Sequence, residues 1–591
     1  MSDWRKPLLA AAWLGLAFTP AKAQYAPGPY ATPARPYNPA PASQAPLPYQ
    51  PQPYSSAGQG YGQPATSPPT SYSTAPYAAA PSFSSVAQGL REGLEANRSR
   101  DLARVQAYRA ALSDPVARKV LTWAMVDVFG EQLGLAELER AANDLRGWPR
   151  EDARRSAVDR ARTGGVPTPG APVPYTSLRP STEAGSTRPS ESSSTRQFTE
   201  RRLRMNEALR NGDISAAYTA ISNHGLPQDA NYAEAESFAG WLALNKLRNP
   251  TLARQHFTRL EASVRSPVSK ARAAYWLGRT AEAQGDQAGA RAQYERGAQY
   301  NTTFYGQLAA QRAGHTHLQL KPDPVVTAAD RAALANNEVV AAMRLLSQAG
   351  ERSLVRVFGL HLGDTVASEL ELAALMDNIK GLNEQELSML AYRRGAQRGL
   401  ILYERGYPLR TPPSVMGGAE PAFVLAITRQ ESQFDPRVRS SADARGMMQL
   451  LPGTARDTAR KVGISYDEGL LWDADYNMRL GSAYLGQVSE RFGGSYIMAA
   501  AGYNAGPGRP AQWSGFCGDP RASGTDPLDF IECIPFTETR NYVMRVMENM
   551  QVYRARLSDG RAPYTLAEDL KRGSFGYAST GGGYRTGGSS Q

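Results

Sequence analysis

A helical pattern that returns every 36 or 37 residues constrains this chain more than any other feature. The segments NGDISAAYTAI, NPTLARQHF and GDQAGARAQY each set a polar or Gly-Asp/Asn-Pro turn before an alanine, with a large side chain four residues later. Asp213, Ala217 and Ile221 align with Asn249, Ala253 and Phe257, and these in turn with Asp286, Ala290 and Tyr294. Positions four apart share a helical face, and a small residue beside a large one lets two helices of a pair pack closely. The period is near the ~34 residues of tetratricopeptide repeats, so residues 197–320 read as a superhelical stack of helix pairs. An irregular helical domain is the plainer alternative. Residues 321–405 stay helical without the repeat and read as a connecting helical unit, ahead of a C-terminal domain over 406–560. The expected fold class is therefore mostly α.

The flanks differ in composition. Residues 24–84 are dominated by Pro, Ala, Tyr, Ser and Gln, and bury too little apolar surface to offset chain entropy. Residues 85–162 read as a helical extension, 163–196 as a Pro/Ser/Thr linker, and 561–591 as a flexible tail. Arg5 and Lys6, then LLAAAWLGLAF, then AKA before Gln24 have the order of an export signal over 1–23. The apolar run falls short of the roughly 20 residues a bilayer needs, so a transmembrane anchor is the weaker reading. With no cysteine near the cleavage site, the expected location is the periplasm, without a lipid anchor. Cys517 and Cys533 are the two cysteines, either bridged or reduced and buried; an oxidising compartment favours the bridge. They supply too few ligands for a metal site, and no cofactor is called for. The net charge of +11 suits an anionic polymer. No basic helix, zinc cluster or RNA-binding aromatic motif accompanies it, so nucleic acid is not an expected partner.

In the C-terminal domain an acid sits on an apolar stripe. Phe423, Ile427, Glu431 and Phe434 are spaced four, four and three apart, which places them on one helical face. Pro421 suits the first turn of that helix and Asp435-Pro436 its end. Glu431 then lies near the C-terminus, where the helix dipole disfavours negative charge, and desolvation adds to the same effect. A carboxylic acid kept protonated near neutrality is what a general acid requires. An ordinary half-exposed or arginine-paired glutamate is the alternative on periodicity alone. Downstream, Gly446 marks a close backbone approach in SSADARGMMQLLPGTA. AAAGYNAGPGRP ends a helix while displaying Tyr503 and Asn504, and IPFTETRNYV opens another with Thr537 as its candidate N-cap.

The ordered set RQES, GMMQL, GYNAG and ETRNYV resembles the catalytic domain of the soluble lytic transglycosylases. KARAAYWLGRTAEAQGD and YNTTFYGQLAA look like that family's superhelix, so the likeness covers about 197–560. The resemblance implies a lysozyme-like, predominantly helical domain that cuts peptidoglycan with Glu431 as sole acid and base. It implies that Tyr503 hydrogen-bonds and orients Glu431, and that Asn504 helps hold substrate. Ser440, Met448 and Gln449 would line the sugar groove, and Glu538 and Tyr542 would support the glycan or its peptide stem. Met447 stands where Leu is commoner and Gly502 where Ala is usual, neither touching the acid. The implied partners are peptidoglycan strands, with wall proteins as further partners of the helical repeats. A hydrolytic muramidase and a non-catalytic wall-binding protein are the rival functions. Asp435 and Asp443 are the nearby candidates for a second carboxylate, and both read as turn or loop residues.

Overall fold

The computed structural model describes residue 81 and residues 83–163 and 192–573. The expected export signal, most of the Pro/Tyr-rich segment and nearly all of the 163–196 linker lie outside the described residues.

The chain is helical almost throughout this range. A first block holds α1 (Val86–Arg98), α2 (Leu102–Ala111), α3 (Pro115–Phe129), α4 (Leu135–Asp144) and α5 (Glu151–Thr163). An array follows, made of α6 (Ser193–Arg210), α7 (Ile214–Ser222), α8 (Ala230–Trp241), α9 (Pro250–Ser263), α10 (Pro267–Ala283), α11 (Gln287–Ala298) and α12 (Phe304–Ala313). After strand β1 (His317–Gln319) come α13 (Ala328–Ala335), α14 (Glu338–Gln348), α15 (Arg352–Thr365), α16 (Glu369–Gly381) and α17 (Gln385–Gln397).

The repeat read from sequence governs the array. Asp213, Asn249 and Asp286 are the N-caps of α7, α9 and α11, each accepting a backbone N–H three residues on at 2.8–3.0 Å. The alanines and large residues that follow them are buried. The close approach has a cause that the pattern only half reveals. Phe257 packs over Gly240 of α8, and Tyr294 over Gly278 of α10, where a Cβ would strike the ring. Each aromatic thus needs a glycine across the pair.

The first block docks on the connecting helices. Phe358 of α15 receives the edges of Trp123 and Trp148 at 5.1 and 5.6 Å. Ion pairs Arg98–Glu351 (2.9 Å) and Lys119–Glu338 (2.7 Å) border the contact. The extension is thus a folded cap on α14 and α15.

The C-terminal unit comprises α18 (Pro421–Ser432), α19 (Pro452–Lys461), α20 (Ala474–Arg491), α21 (Tyr496–Ala505), α22 (Arg509–Cys517), α23 (Pro527–Cys533) and α24 (Thr537–Arg556). Strand β2 (Arg561–Pro563) and α25 (Leu566–Leu570) close it. Residues 561–573 are therefore not a flexible tail. β2 pairs antiparallel with β1, Leu318 opposite Ala562, and the carboxylate of Asp569 accepts from Gln551 and Arg554.

A buried ionic network holds this unit to the array. Arg540 of α24, fully buried, pairs with Glu532 and Glu234, and Arg272 bridges the same two acids at 2.8 and 3.0 Å. Burial opposes ionisation of Glu234, yet Arg540 and Arg272 hold its pKa down to about 2. Tyr305 also donates to Glu532. Thr537, expected as an N-cap, is instead the first helical residue of α24; its hydroxyl accepts from Arg202.

Candidate active site

Glu431 is the penultimate residue of α18. The helix begins with Pro421 at its first position and buries every side chain from Ala422 to Arg429. It stops earlier than periodicity predicts. Gln433 and Phe434 both adopt positive φ, 56° and 64°, so Phe434 leaves the helical face that it shares in sequence with Glu431. The stop is enforced by side chains. Gln433 Nε2 donates to the Arg429 carbonyl at 2.9 Å, and Ser432 Oγ donates to the Met447 carbonyl at 2.6 Å. The chain turns away at once, and Glu431 is left as a 7 % exposed acid facing inward.

Burial pushes the Glu431 pKa up to about 8, helped by the nearby charge of Glu538 and opposed by a hydrogen bond from Tyr542. That bond, Tyr542 Oη to Glu431 Oε1 at 2.6 Å, is the principal polar contact of the acid. Tyr542, one turn along α24 from Glu538, is therefore a tyrosine that holds Glu431, where the resemblance implies Tyr503. Tyr503 is buried beside them, its pKa raised by desolvation and by the charge of Glu431, and its hydroxyl donates to the Met448 carbonyl at 2.8 Å. Asn504 follows at the end of α21, its Oδ1 accepting from Thr539 Oγ1 at 2.6 Å. Glu538 stands exposed at the first turn of α24, its own pKa raised by desolvation. Glu431, Tyr503, Asn504, Glu538 and Tyr542 are thus gathered by three helices, α18, α21 and α24.

The remaining expected groove residues are buried as well. Met448 is fully buried and packs on Gly481, Gln449 is 3 % exposed and Ser440 6 % exposed. Ser440 Oγ accepts the N–H groups of Ala442 and Ala444, which closes its own loop. Gln449, at φ 49°, donates to the carbonyls of Val438 and Gly446, and its Oε1 has no partner. These three side chains are buried, and the polar two bond to nearby backbone. Gly446 answers the expectation of close approach: it has φ 78°, and a Cβ there would strike the Leu471 carbonyl and Asn477. Asn477 escaped the reading of the sequence. Fully buried in α20, it accepts from Met448 N at 2.8 Å and donates to the carbonyls of Arg445 and Leu471 at 2.9 Å. A lone amide on an otherwise apolar helix stripe was the available signal.

Asp435 and Asp443 are no second acids. Each is held ionised by arginine, Asp435 by Arg437 at 2.8 Å and Asp443 by Arg445 and Arg439. Cys517 and Cys533 are bridged, tying the end of α22 to the end of α23.

Residues 413–520, which include Glu431 and the loop and helix carrying Gln449 and Tyr503, match the family described as Transglycosylase SLT domain. The chain carries a transglycosylase SLT domain. Residues 533–561, which bring Glu538 and Tyr542, match the Soluble lytic transglycosylase helical domain. The soluble lytic murein transglycosylase of Escherichia coli K12 is 41 % identical over 140 residues, 23 % of this chain and 21 % of that protein. A putative soluble lytic murein transglycosylase of Haemophilus influenzae is 44 % identical over 127 residues, 21 % of each chain. This chain therefore spans about a fifth of the length of the curated relatives it matches. A crystal structure of a lytic transglycosylase from Pseudomonas aeruginosa superposes with a TM-score of 0.49 at 22 % identity, covering 81 % of this chain and 74 % of that one. Among the described residues, no helix is long and apolar enough to cross a membrane. The SLT domain and α24 together contain every residue grouped around Glu431.

Proposed function

We propose that this chain is a lytic transglycosylase that cleaves the β-1,4 bond between N-acetylmuramic acid and N-acetylglucosamine in peptidoglycan, leaving 1,6-anhydromuramoyl ends. The observation that carries the reading is Glu431: a buried acid whose pKa of about 8 keeps it protonated at neutral pH, hydrogen-bonded by Tyr542. Two-carboxylate hydrolysis needs a partner to activate water. Asp435 and Asp443, the next two acids downstream, are neutralised by arginine, which favours a mechanism in which one carboxyl both gives and takes the proton.

In this mechanism Glu431 protonates the glycosidic oxygen as the C1–O bond of the muramic acid breaks. The acetamido group of the same sugar stabilises the positive charge at C1. Proton loss leaves a carboxylate, the form that the Tyr542 hydroxyl stabilises. Glu431 then removes the proton from the 6-hydroxyl as its oxygen bonds to C1, so the acid is regenerated and no water is consumed. Burial serves this step twice, since it holds the proton on Glu431 at the start and lets the tethered hydroxyl outcompete solvent. Asn504 and Glu538 hold the sugar or its peptide stem. The helical array serves to retain the anionic strand, and the charged-then-apolar start of the chain serves for export to the periplasm.

Mass spectrometry of the muropeptides released from purified peptidoglycan tests the reading. Anhydro ends that vanish with Glu431→Gln are expected. Reducing ends carrying added water would make the protein a muramidase instead, with Glu538 the group to test as activator of water. Undiminished digestion by Glu431→Gln would leave the helical array as a wall-binding device.

A further inference from the structure

A cleft of about 430 Å³ lies away from Glu431, between the array and the loop closed by the Cys517–Cys533 bridge. One wall is the π-helical turn Leu242–Lys246 that follows α8, together with Arg248; the other is formed by Gly518 and by Gly524 to Asp526, leading into α23. Its charged lining is Lys246, Arg248 and Arg279 against Asp526 and Asp529.

Both carboxylates are already engaged by donors of the chain. Asp529 accepts from Trp241 Nε1, from Asn245 Nδ2, itself buried, and from Lys246 Nζ, at 2.8, 2.6 and 3.0 Å. Asp526 caps α23 through the Leu528 N–H and takes Arg279 at 3.1 Å. Arg248 is different. It has no hydrogen bond or ion pair among the described residues, is exposed, and sits at φ 55°, a conformation unfavourable for arginine. Three cations facing two carboxylates leave one positive charge, carried by a guanidinium whose fork fits a carboxylate in bidentate fashion. The volume exceeds what a single ion fills and lies in the range of small-molecule sites.

We propose that this cleft binds the carboxylate end of a peptide-sized or sugar-acid monoanion, with Arg248 as the anchoring fork and Lys246 as the second donor. A dianion such as phosphate is disfavoured, because its second charge would face Asp526 and Asp529 with no cation left to meet it. The disulfide fixes the far wall, so the ligand meets a site formed in advance. The site joins two units of the fold, and its occupant would brace the SLT domain against the array. Occupancy of the cleft is read by binding and is independent of the chemistry at Glu431.

Isothermal titration of the full chain with N-acetyl-alanyl-D-alanine, with the same dipeptide amidated at its C-terminus, with N-acetylmuramic acid and with inorganic phosphate tests it. The free acid is expected to bind and the amide not to. Binding by N-acetylmuramic acid as well would identify a lactyl carboxylate as a second source of the same group. Arg248→Asn, which suits a positive φ and breaks no contact, is expected to weaken binding about ten- to a hundredfold while leaving the melting temperature in place. Arg248→Lys is expected to recover part of the loss. Equal binding of acid and amide, phosphate binding as tight as the dipeptide, no binding by either carboxylate, or an Arg248→Asn variant of wild-type affinity would each overturn the proposal.

Discussion

Replacing Glu431 by glutamine removes more than a proton donor; it removes a pH-dependent stability penalty. In the folded chain the carboxyl ionises at about 8, against an ordinary glutamate value of 4.5. Between those values the folded state keeps a proton that the unfolded chain releases, so stability is greatest below about pH 4.5 and falls as pH rises toward 8. Each pH unit crossed in that window costs about 1.36 kcal/mol, so the penalty grows by about 3 kcal/mol between roughly pH 5 and pH 8. A neutral amide accepts from Tyr542 as the acid does, and carries no such penalty. Its spare N–H group adds an offset that does not vary with pH. Thermal or urea unfolding of wild type and Glu431→Gln across that range reads the difference, in which every other titrating group cancels. The variant is expected to gain about 3 kcal/mol on the wild type between the two ends, roughly several degrees in melting temperature. Parallel stability profiles would mean that residue 431 titrates as a solvated carboxyl, and the case for a buried acid would fail.

Two substitutions should move the alkaline limb of the pH–activity profile in opposite directions. Tyr542→Phe deletes the hydrogen bond that lowers the Glu431 pKa, so the limb should shift upward with a lower maximal rate; Glu538→Gln deletes a charge that raises it, so the limb should shift downward. Shifts of the same sign would refute the assignment. Glu532→Gln breaks the buried pairing with Arg272 and Arg540 and should destabilise the chain by about 3–5 kcal/mol, measured by urea unfolding. Gly278→Ala drives a methyl group into the Tyr294 ring and should cost about 1–3 kcal/mol, partly recovered by adding Tyr294→Leu.

What the sequence reveals here follows the range of the interactions. The helix pairs could be read because cap, small and large residues lie within nine positions of one another, all in one segment. Glu431 could be read for the same reason. Phe434 was misplaced because two left-handed residues follow Ser432, and their backbone is held by hydrogen bonds to Arg429 and Met447 that no periodicity encodes. Motif order alone does not decide which tyrosine reaches the acid. Tyr503 and Tyr542 both approach it, and a contact spanning 111 positions is settled by how α24 crosses α18. The docking of α1–α5 was equally hidden, because Trp123, Trp148 and Phe358 look like ordinary core aromatics until the chain brings them together.

The pairing of β1 with β2 makes everything from Leu320 to Gly560 an insertion inside a two-stranded ribbon. On a ribosome, His317–Gln319 emerges long before the strand that completes it. Closure must wait until residues 561–563 have been made, a contact of large sequence separation that forms late. Until then the SLT domain is held to the array by the buried network of Arg272, Arg540, Glu234 and Glu532 without the ribbon. The short ribbon is a clasp added late, and an intermediate stalled before residue 561 would hold its acid helix without it.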